Sequence, residues 1–142
     1  TLGSFVVQAP RAFFERSRLA ARALGRRAVL LVGPGADHAS DADVLVRSYL
    51  PHSLVFGRSA AVIHHGGVGT TGQAMLAGRP QLVAPHLGDQ WDNGARIARL
   101  GLGACLSPQR YTVERTTETL ARLLADPAFA QRAQATRERM RG

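Results

Sequence analysis

The feature that most constrains the fold is a regular alternation of short, mostly apolar runs with longer helical segments. The runs are rich in valine, leucine and alanine and lie at Leu2–Val7, Ala28–Val32, Val44–Tyr49, Ala61–His64, Gln81–Ala84 and Gly103–Leu106. Helical segments lie at Ala12–Leu24, near Ser53–Phe56, at Thr70–Ala77 and at Gln90–Leu100. Short apolar strands suit a parallel sheet with helices on both faces. The pattern therefore predicts a doubly wound, Rossmann-like α/β domain of about six strands.

The C-terminal third of the chain predicts two helices that carry no strand between them. Asp126 and Pro127 separate the helices, because proline suits the first turn of a helix. The apolar stripes are Val113, Thr117, Leu120 and Leu124 in the first helix and Phe129, Ala133, Thr136 and Met140 in the second. Glycines 25, 78 and 101 follow three of the other helices, where a left-handed cap is expected. At 142 residues, we expect residues 1–142 to form one domain.

Composition narrows the possible partners. The net charge is +8, and all 18 of the Lys and Arg residues are arginine. This excess of positive charge favours an anionic ligand. The arginines are dispersed and lack interleaved aromatic residues, which argues against a nucleic-acid role. A single cysteine excludes a disulfide framework, and no apolar run approaches the length of a membrane span. With no secretory signal in the sequence, we expect a cytoplasmic location and no membrane partner.

The stretch AAVIHHGGVGTTGQAMLAGRP, Ala60–Pro80, places glycines, histidines and threonines between a strand and a helix. Glycine lets the backbone approach a ligand, and a helix N-terminus attracts anions. These properties favour a phosphate-binding loop, although the pattern is neither a Walker loop nor a dinucleotide GxGxxG motif. The alternative is a strand-to-helix turn with a threonine cap and no ligand. A metal site is disfavoured because adjacent histidines point in opposite directions on an extended chain, and Cys105 lacks a base that would make it a nucleophile.

The segment HHGGVGTTGQAMLAGRPQLVAPHLGDQWDNGARIARLGLG, residues 64–103, resembles the donor-binding signature of GT-B fold glycosyltransferases. It is most similar to the bacterial branch that acts on macrolides, glycopeptides, sterols and related natural products. The resemblance implies that residues 1–142 are the C-terminal, nucleotide-sugar-binding domain of such an enzyme. It also implies that the N-terminal acceptor domain lies outside this sequence.

The resemblance assigns roles residue by residue. The expected diphosphate contacts are Ser4, His65, Gly67, Gly69, Thr70 and Thr71, with His64 packed beside the site. The expected nucleobase and ribose contacts are Tyr49, Leu50, His52 and Gln73, and the expected sugar contacts are Asp89 and Gln90. Three residues depart from the related plant signature: Gln73 replaces a glutamate, Val68 a tryptophan, and Tyr49 a base-stacking tryptophan. The choice between UDP and TDP therefore stays open.

The resemblance also implies an inverting transfer to an acceptor hydroxyl. The catalytic base would be a histidine of the acceptor domain, so this chain is expected to hold no catalytic residue and to be inactive alone. It would contribute stabilisation of the leaving diphosphate without a cofactor or a required metal. Two alternatives remain: a non-catalytic nucleotide-sugar-binding module or partner subunit, and half of an enzyme like the UDP-sugar 2-epimerases.

Overall fold

The computed structural model describes residues 1–2, 10–35 and 38–142. Within these ranges the strands are β1 (Ala28–Leu31), β2 (Val44–Arg47), β3 (Val62–His64), β4 (Gln81–Val83) and β5 (Gly103–Cys105). The helices are α1 (Pro10–Ala23), α2 (His52–Val55), α3 (Val68–Ala77), α4 (Gln90–Arg99), α5 (Val113–Ala125) and α6 (Pro127–Arg141). Short 3-10 turns at Phe56–Arg58 and Pro108–Arg110 complete the order. The described ranges thus contain five strands, and of the predicted strand Leu2–Val7 only Leu2 lies within them.

All strand pairs are parallel. β1 pairs with β2 as a two-stranded sheet, and β3, β4 and β5 form a three-stranded sheet in that order. In the second sheet His64 is level with Val83, and Val83 is level with Cys105. Because these residues end their strands, the loops that follow β3, β4 and β5 leave the sheet along one edge.

The core lies on both faces of the central strand β4. Leu82 is fully buried in a cluster that includes Phe13 and Phe14 of α1 and Leu120 of α5. Its neighbour Val83 faces the other way, into a cluster with side chains of α4 and α6. Successive residues of a strand point to opposite faces, so β4 is covered by helices on both sides. This arrangement confirms the predicted doubly wound α/β class.

The ends of the helices follow the glycine and proline signals. Gly25, Gly78 and Gly101 adopt φ values of +63°, +68° and +68°, as expected for left-handed caps. Asp126 caps α6 by accepting a 2.9 Å hydrogen bond from the amide of Ala128.

The apolar stripe predicted for α5 is wrong in phase. The buried residues of α5 are Thr116, Leu120 and Leu123, whereas Val113, Thr117 and Leu124 are only partly buried. A threonine on the inner face shifts the buried side of the helix by one position, and hydropathy alone gives no signal for that threonine.

Candidate functional site

Two helices begin beside one another at the edge of the three-stranded sheet. α3 starts at Val68, after the three-residue loop that follows β3, and α4 starts at Gln90, beyond the loop that follows β4. The first amides of each helix lack an intrahelical partner, and the helix dipole makes both ends favourable for an anion. The fold therefore presents two anion-attracting helix ends at one edge.

His64 is a structural part of this edge. It is completely buried, its Nε2 lies 2.7 Å from Oε1 of Gln81, and its Nδ1 accepts a 3.0 Å hydrogen bond from the amide of Gly66. Nδ1 is therefore unprotonated, and Nε2 donates to the glutamine. Burial lowers the pKa of His64 from 6.5 to about 3, which keeps the ring neutral. Both ring nitrogens serve the fold, as expected for a residue packed beside the site.

His65 differs from its neighbour in having unused hydrogen-bonding capacity. The residue is 6% exposed, yet its buried Nδ1 has no partner among the described residues. Burial lowers the pKa of His65 from 6.5 to about 4, so the ring is neutral at pH 7 and acts as a dipolar hydrogen-bonding group. The ring lies against Gly67, where a Cβ atom would come within 2.3 Å of Nε2.

Thr70 and Thr71 line the first turn of α3, and both are about nine-tenths buried. Within the described ranges, the buried Oγ1 of Thr71 also lacks a partner. Buried polar atoms are nearly always paired, so two unpaired atoms at one helix N-terminus require an explanation. Gly69 adds space, because a Cβ atom there would meet no described atom within 4 Å. The loop thus combines unused polar groups with room for a ligand.

Three residues predicted to contact the base or ribose, Tyr49, Leu50 and His52, follow the end of β2. Tyr49 is 73% exposed and Leu50 is partly buried. His52 begins α2 with its ring stacked on the buried Phe56, at a centroid distance of 4.4 Å and an interplanar angle of 12°. Gln73 is exposed on α3. The exposed tyrosine ring offers a flat surface on which a base can lie.

Asp89 and Gln90, the residues predicted to contact the sugar, differ in their exposure and hydrogen bonding. The side chain of Asp89 is exposed and makes no capping hydrogen bond to the described part of α4. Gln90 is 4% exposed, and its Oε1 accepts hydrogen bonds from the amides of His86 and Leu87 at 2.9 and 3.2 Å. Any contact of Gln90 with a sugar therefore falls to its Nε2, whereas Asp89 is exposed as a whole residue.

Sequence reasoning missed Asn93. Its Nδ2 donates a 2.9 Å hydrogen bond to the carbonyl of Gly66, which ties α4 to the loop before α3. The DQWDN motif contains this asparagine, but the sequence does not show which backbone group it meets. Ser4 lies outside the described residues.

Over residues 1–2, 10–35 and 38–142, no group of three or more histidine, cysteine, aspartate or glutamate side chains is arranged to hold a metal ion. In the same ranges, no helix has the length and apolar character needed to cross a membrane.

Comparison with protein families decides the assignment. The model for the family described as erythromycin biosynthesis protein CIII-like, C-terminal domain, matches residues 34–142. This chain belongs to that family. The match begins before β2 and includes α3, α4 and the loops that precede them.

The curated relatives include glycosyltransferases of Amycolatopsis and Streptomyces. Vancomycin aglycone glucosyltransferase of Amycolatopsis orientalis is 39% identical over 114 residues, which are 79% of this chain and 28% of that protein. O-mycaminosyltylonolide 6-deoxyallosyltransferase of Streptomyces fradiae is 37% identical over 135 residues, which are 94% of this chain and 32% of that protein. The chain thus spans about a third of the length of these relatives.

Solved structures confirm the architecture. The glycotransferase of kitacinnamycin matches with a TM-score of 0.89 and 26% identity, over 97% of this chain and 37% of that one. A spinosyn rhamnosyltransferase complexed with thymidine diphosphate matches with a TM-score of 0.85 and 32% identity, over 97% of this chain and 39% of that one. The fold is that of the C-terminal domain of GT-B glycosyltransferases.

Proposed function

We propose that this chain is the donor-binding domain of an inverting glycosyltransferase that moves a sugar from UDP or TDP to a hydroxyl of a natural-product or lipid-like acceptor. One observation carries the proposal. The buried Nδ1 of His65 and Oγ1 of Thr71 lack partners among the described residues; His65 lies two residues before the N-cap Gly67 of α3, and Thr71 lies in the first turn of that helix. A diphosphate at this helix end would satisfy such groups and the free amides together.

The chemical task of the site is to stabilise the leaving group. As the bond between the sugar and the diphosphate breaks, negative charge grows on the phosphate oxygens. The amides of Gly67 and Gly69, the hydroxyls of Thr70 and Thr71 and the His65 ring would donate hydrogen bonds to that charge from fixed positions. Such donors need no metal. His65 is neutral when free, so it would act through its N–H group, and a bound diphosphate would raise its pKa.

TDP is the first nucleotide to test, because a family relative of known structure is complexed with thymidine diphosphate. Tyr49 and His52, whose ring stacks on the buried Phe56, would supply aromatic surface for the base, and Gln73 would offer an amide to the ribose. Ser4 is proposed as a further diphosphate contact on the family resemblance alone. None of these groups excludes uracil, so UDP belongs in the same experiment.

Asp89 is proposed as the main contact to the sugar. A carboxylate accepts hydrogen bonds from two neighbouring hydroxyls, and this one is exposed and does not cap its helix within the described ranges. Gln90 would assist through Nε2. We assign the catalytic base to an acceptor-binding domain beyond this chain, so the chain alone is expected to bind nucleotide without transferring sugar. A cytoplasmic location is part of the proposal.

Isothermal titration calorimetry tests the proposal. The chain is expected to bind TDP or UDP with a Kd in the micromolar-to-millimolar range, or about −4 to −8 kcal/mol. ADP is the matched control, because it carries the same diphosphate with a different base. No binding of TDP or UDP at several millimolar would contradict the assignment.

Sugar transfer by the longer protein separates an enzyme from a binding module. If the chain binds TDP and the complete protein transfers sugar to an acceptor, the assignment as a glycosyltransferase is supported. If the complete protein binds the nucleotide sugar but releases neither product nor epimer, the module is supported. Release of a 2-epimer would support the epimerase-like alternative.

A further inference from the structure

The peptide group between Gly66 and Gly67 stands between the two helix ends of the site. The amide of Gly66 donates to Nδ1 of His64 at 3.0 Å, and its carbonyl accepts from Nδ2 of Asn93 at 2.9 Å. Gly66 has a φ of +91°, which residues with a side chain rarely adopt. Both polar groups of Gly66 are thus engaged in fixing its orientation.

The direction of the Gly66 carbonyl sets the direction of the next amide. A trans peptide is planar, so its C=O and N–H groups point in opposite directions. With the carbonyl of Gly66 held toward Asn93, the amide of Gly67 points away from α4. Gly67 is the N-cap residue of α3, where the proposed diphosphate binds.

Without such hydrogen bonds, two consecutive glycines would leave this peptide group free to reorient. Glycine reaches both halves of backbone space at little cost, so rotation of the peptide about its flanking bonds is hindered less than between other residues. A reversed peptide would aim a carbonyl oxygen in place of an N–H group at the anion. The sequence HHGG therefore needs a contact that holds one orientation.

The contact comes from a helix that is fixed independently of the loop. A Cβ at Gly94 of α4 would lie 2.6 Å from Sγ of Cys105, so this helix sits directly on β5. A Cβ at Gly66 would likewise lie 2.9 Å from the carbonyl oxygen of Gln90 and from Cγ1 of Val83. The glycines let α4 approach the sheet closely enough for Asn93 to reach the loop.

We propose that Asn93 is a positioning residue that locks the Gly66–Gly67 peptide with the Gly67 amide toward the anion. The inference rests on the proposed function, since the anion is the diphosphate of the donor. It also couples the two parts of the site, because the helix that begins beside Asp89 holds the loop that contains His65.

Asn93→Asp tests the lock with a side chain of the same shape. A carboxylate only accepts hydrogen bonds, so it cannot donate to the Gly66 carbonyl oxygen and repels it. TDP affinity should fall by at least about tenfold, because the Gly67 amide would no longer be held toward the anion. Asn93→Ala removes the donor without adding charge and should act in the same direction. Asp92→Asn is the matched control, because Asp92 is 62% exposed and pairs only with Arg96 in the described ranges.

Acidification should rescue Asn93→Asp. A protonated carboxyl group donates an O–H bond, so the loss of affinity relative to wild type should shrink as the pH falls. The nearby groups His65, His86, Asp89 and Asp92 are present in both proteins, as is the titrating phosphate. Comparing the two proteins at each pH removes their contribution. A general loss of packing would not recover on acidification.

Amide relaxation provides a readout that needs no ligand. In the free chain, the Gly67 amide should show microsecond-to-millisecond exchange in Asn93→Ala and little in wild type. A folded Asn93→Ala or Asn93→Asp that binds TDP within twofold of wild type would overturn the lock. If wild type binds no TDP, the proposed function fails and the relaxation comparison decides the lock, which equal exchange in both proteins would overturn.

Discussion

Gly67→Ala should remove His65 from the site without unfolding the domain. The φ and ψ angles of Gly67 are −60° and 145°, which alanine adopts without strain. The added Cβ would lie 2.3 Å from Nε2 and 2.9 Å from Cε1 of His65, whereas ordinary van der Waals contact begins at 3.4 Å. Because the clash is with a side chain that can rotate, the imidazole should yield and the backbone should stay.

The displacement predicts a loss in affinity rather than in stability. A hydrogen bond from His65 to a charged phosphate contributes about 1.5–3 kcal/mol, so the Kd for TDP should rise roughly ten- to hundredfold. Alanine is a poorer N-cap than glycine, but the free energy of unfolding should change by only about 1 kcal/mol. The two effects are therefore separable by experiment.

Calorimetry with TDP and thermal unfolding should be run on Gly67→Ala, His65→Ala and the double variant. If the methyl group acts by displacing His65, the double variant should bind no more weakly than His65→Ala alone. Gly72→Ala is the control, because its Cβ would meet no described atom within 4 Å and should stabilise α3 by about 0.5–1 kcal/mol. Full TDP affinity in Gly67→Ala, or additive losses in the double variant, would refute the reasoning.

Three further outcomes follow from the same geometry. His65→Ala should weaken TDP binding more than His64→Ala and cost less stability, because His64 makes two internal hydrogen bonds; equal losses in calorimetry would show that the roles are misassigned. Asp89→Asn should leave thermal stability unchanged but lower sugar transfer or alter sugar preference in the complete enzyme, and unchanged transfer would leave Asp89 without a role. The folded pKa of His64, about 3, lies below its ordinary 6.5, so its contribution to stability is full above pH 6.5 and is lost as the pH falls toward 3. Between pH 7 and pH 5 that loss is about 2 kcal/mol by urea unfolding; an equal pH dependence in His64→Gln would contradict it.

The sequence predicted those parts of the fold that depend on local signals. Apolar runs located β1, β3, β4 and β5 to within about a residue, and glycines marked the ends of three helices. β2 is shorter than expected, since it ends at Arg47 and not at Tyr49. Because parallel strands end along one edge, the same reasoning placed the loop with His65 at that edge.

The remaining features depend on contacts between distant parts of the chain. The bond from Asn93 to the Gly66 carbonyl joins residues 27 positions apart and involves a backbone atom, so no side-chain pattern reveals it. The amide oxygen of Gln90 is likewise used by the backbone of its own loop, which residue type alone does not indicate. The roles of Asp89 and Tyr49 stay predictions that require a ligand.

Residue-resolved NMR titration with TDP tests the central claim most directly. The chain should show saturable amide shifts that are largest from Gly67 to Thr71, with smaller shifts at Tyr49 and His52. Because TDP carries no sugar, the amide chemical shift of Asp89 should change little when TDP binds. Absence of saturable shifts at several millimolar TDP, or shifts centred away from the N-terminus of α3, would contradict the account.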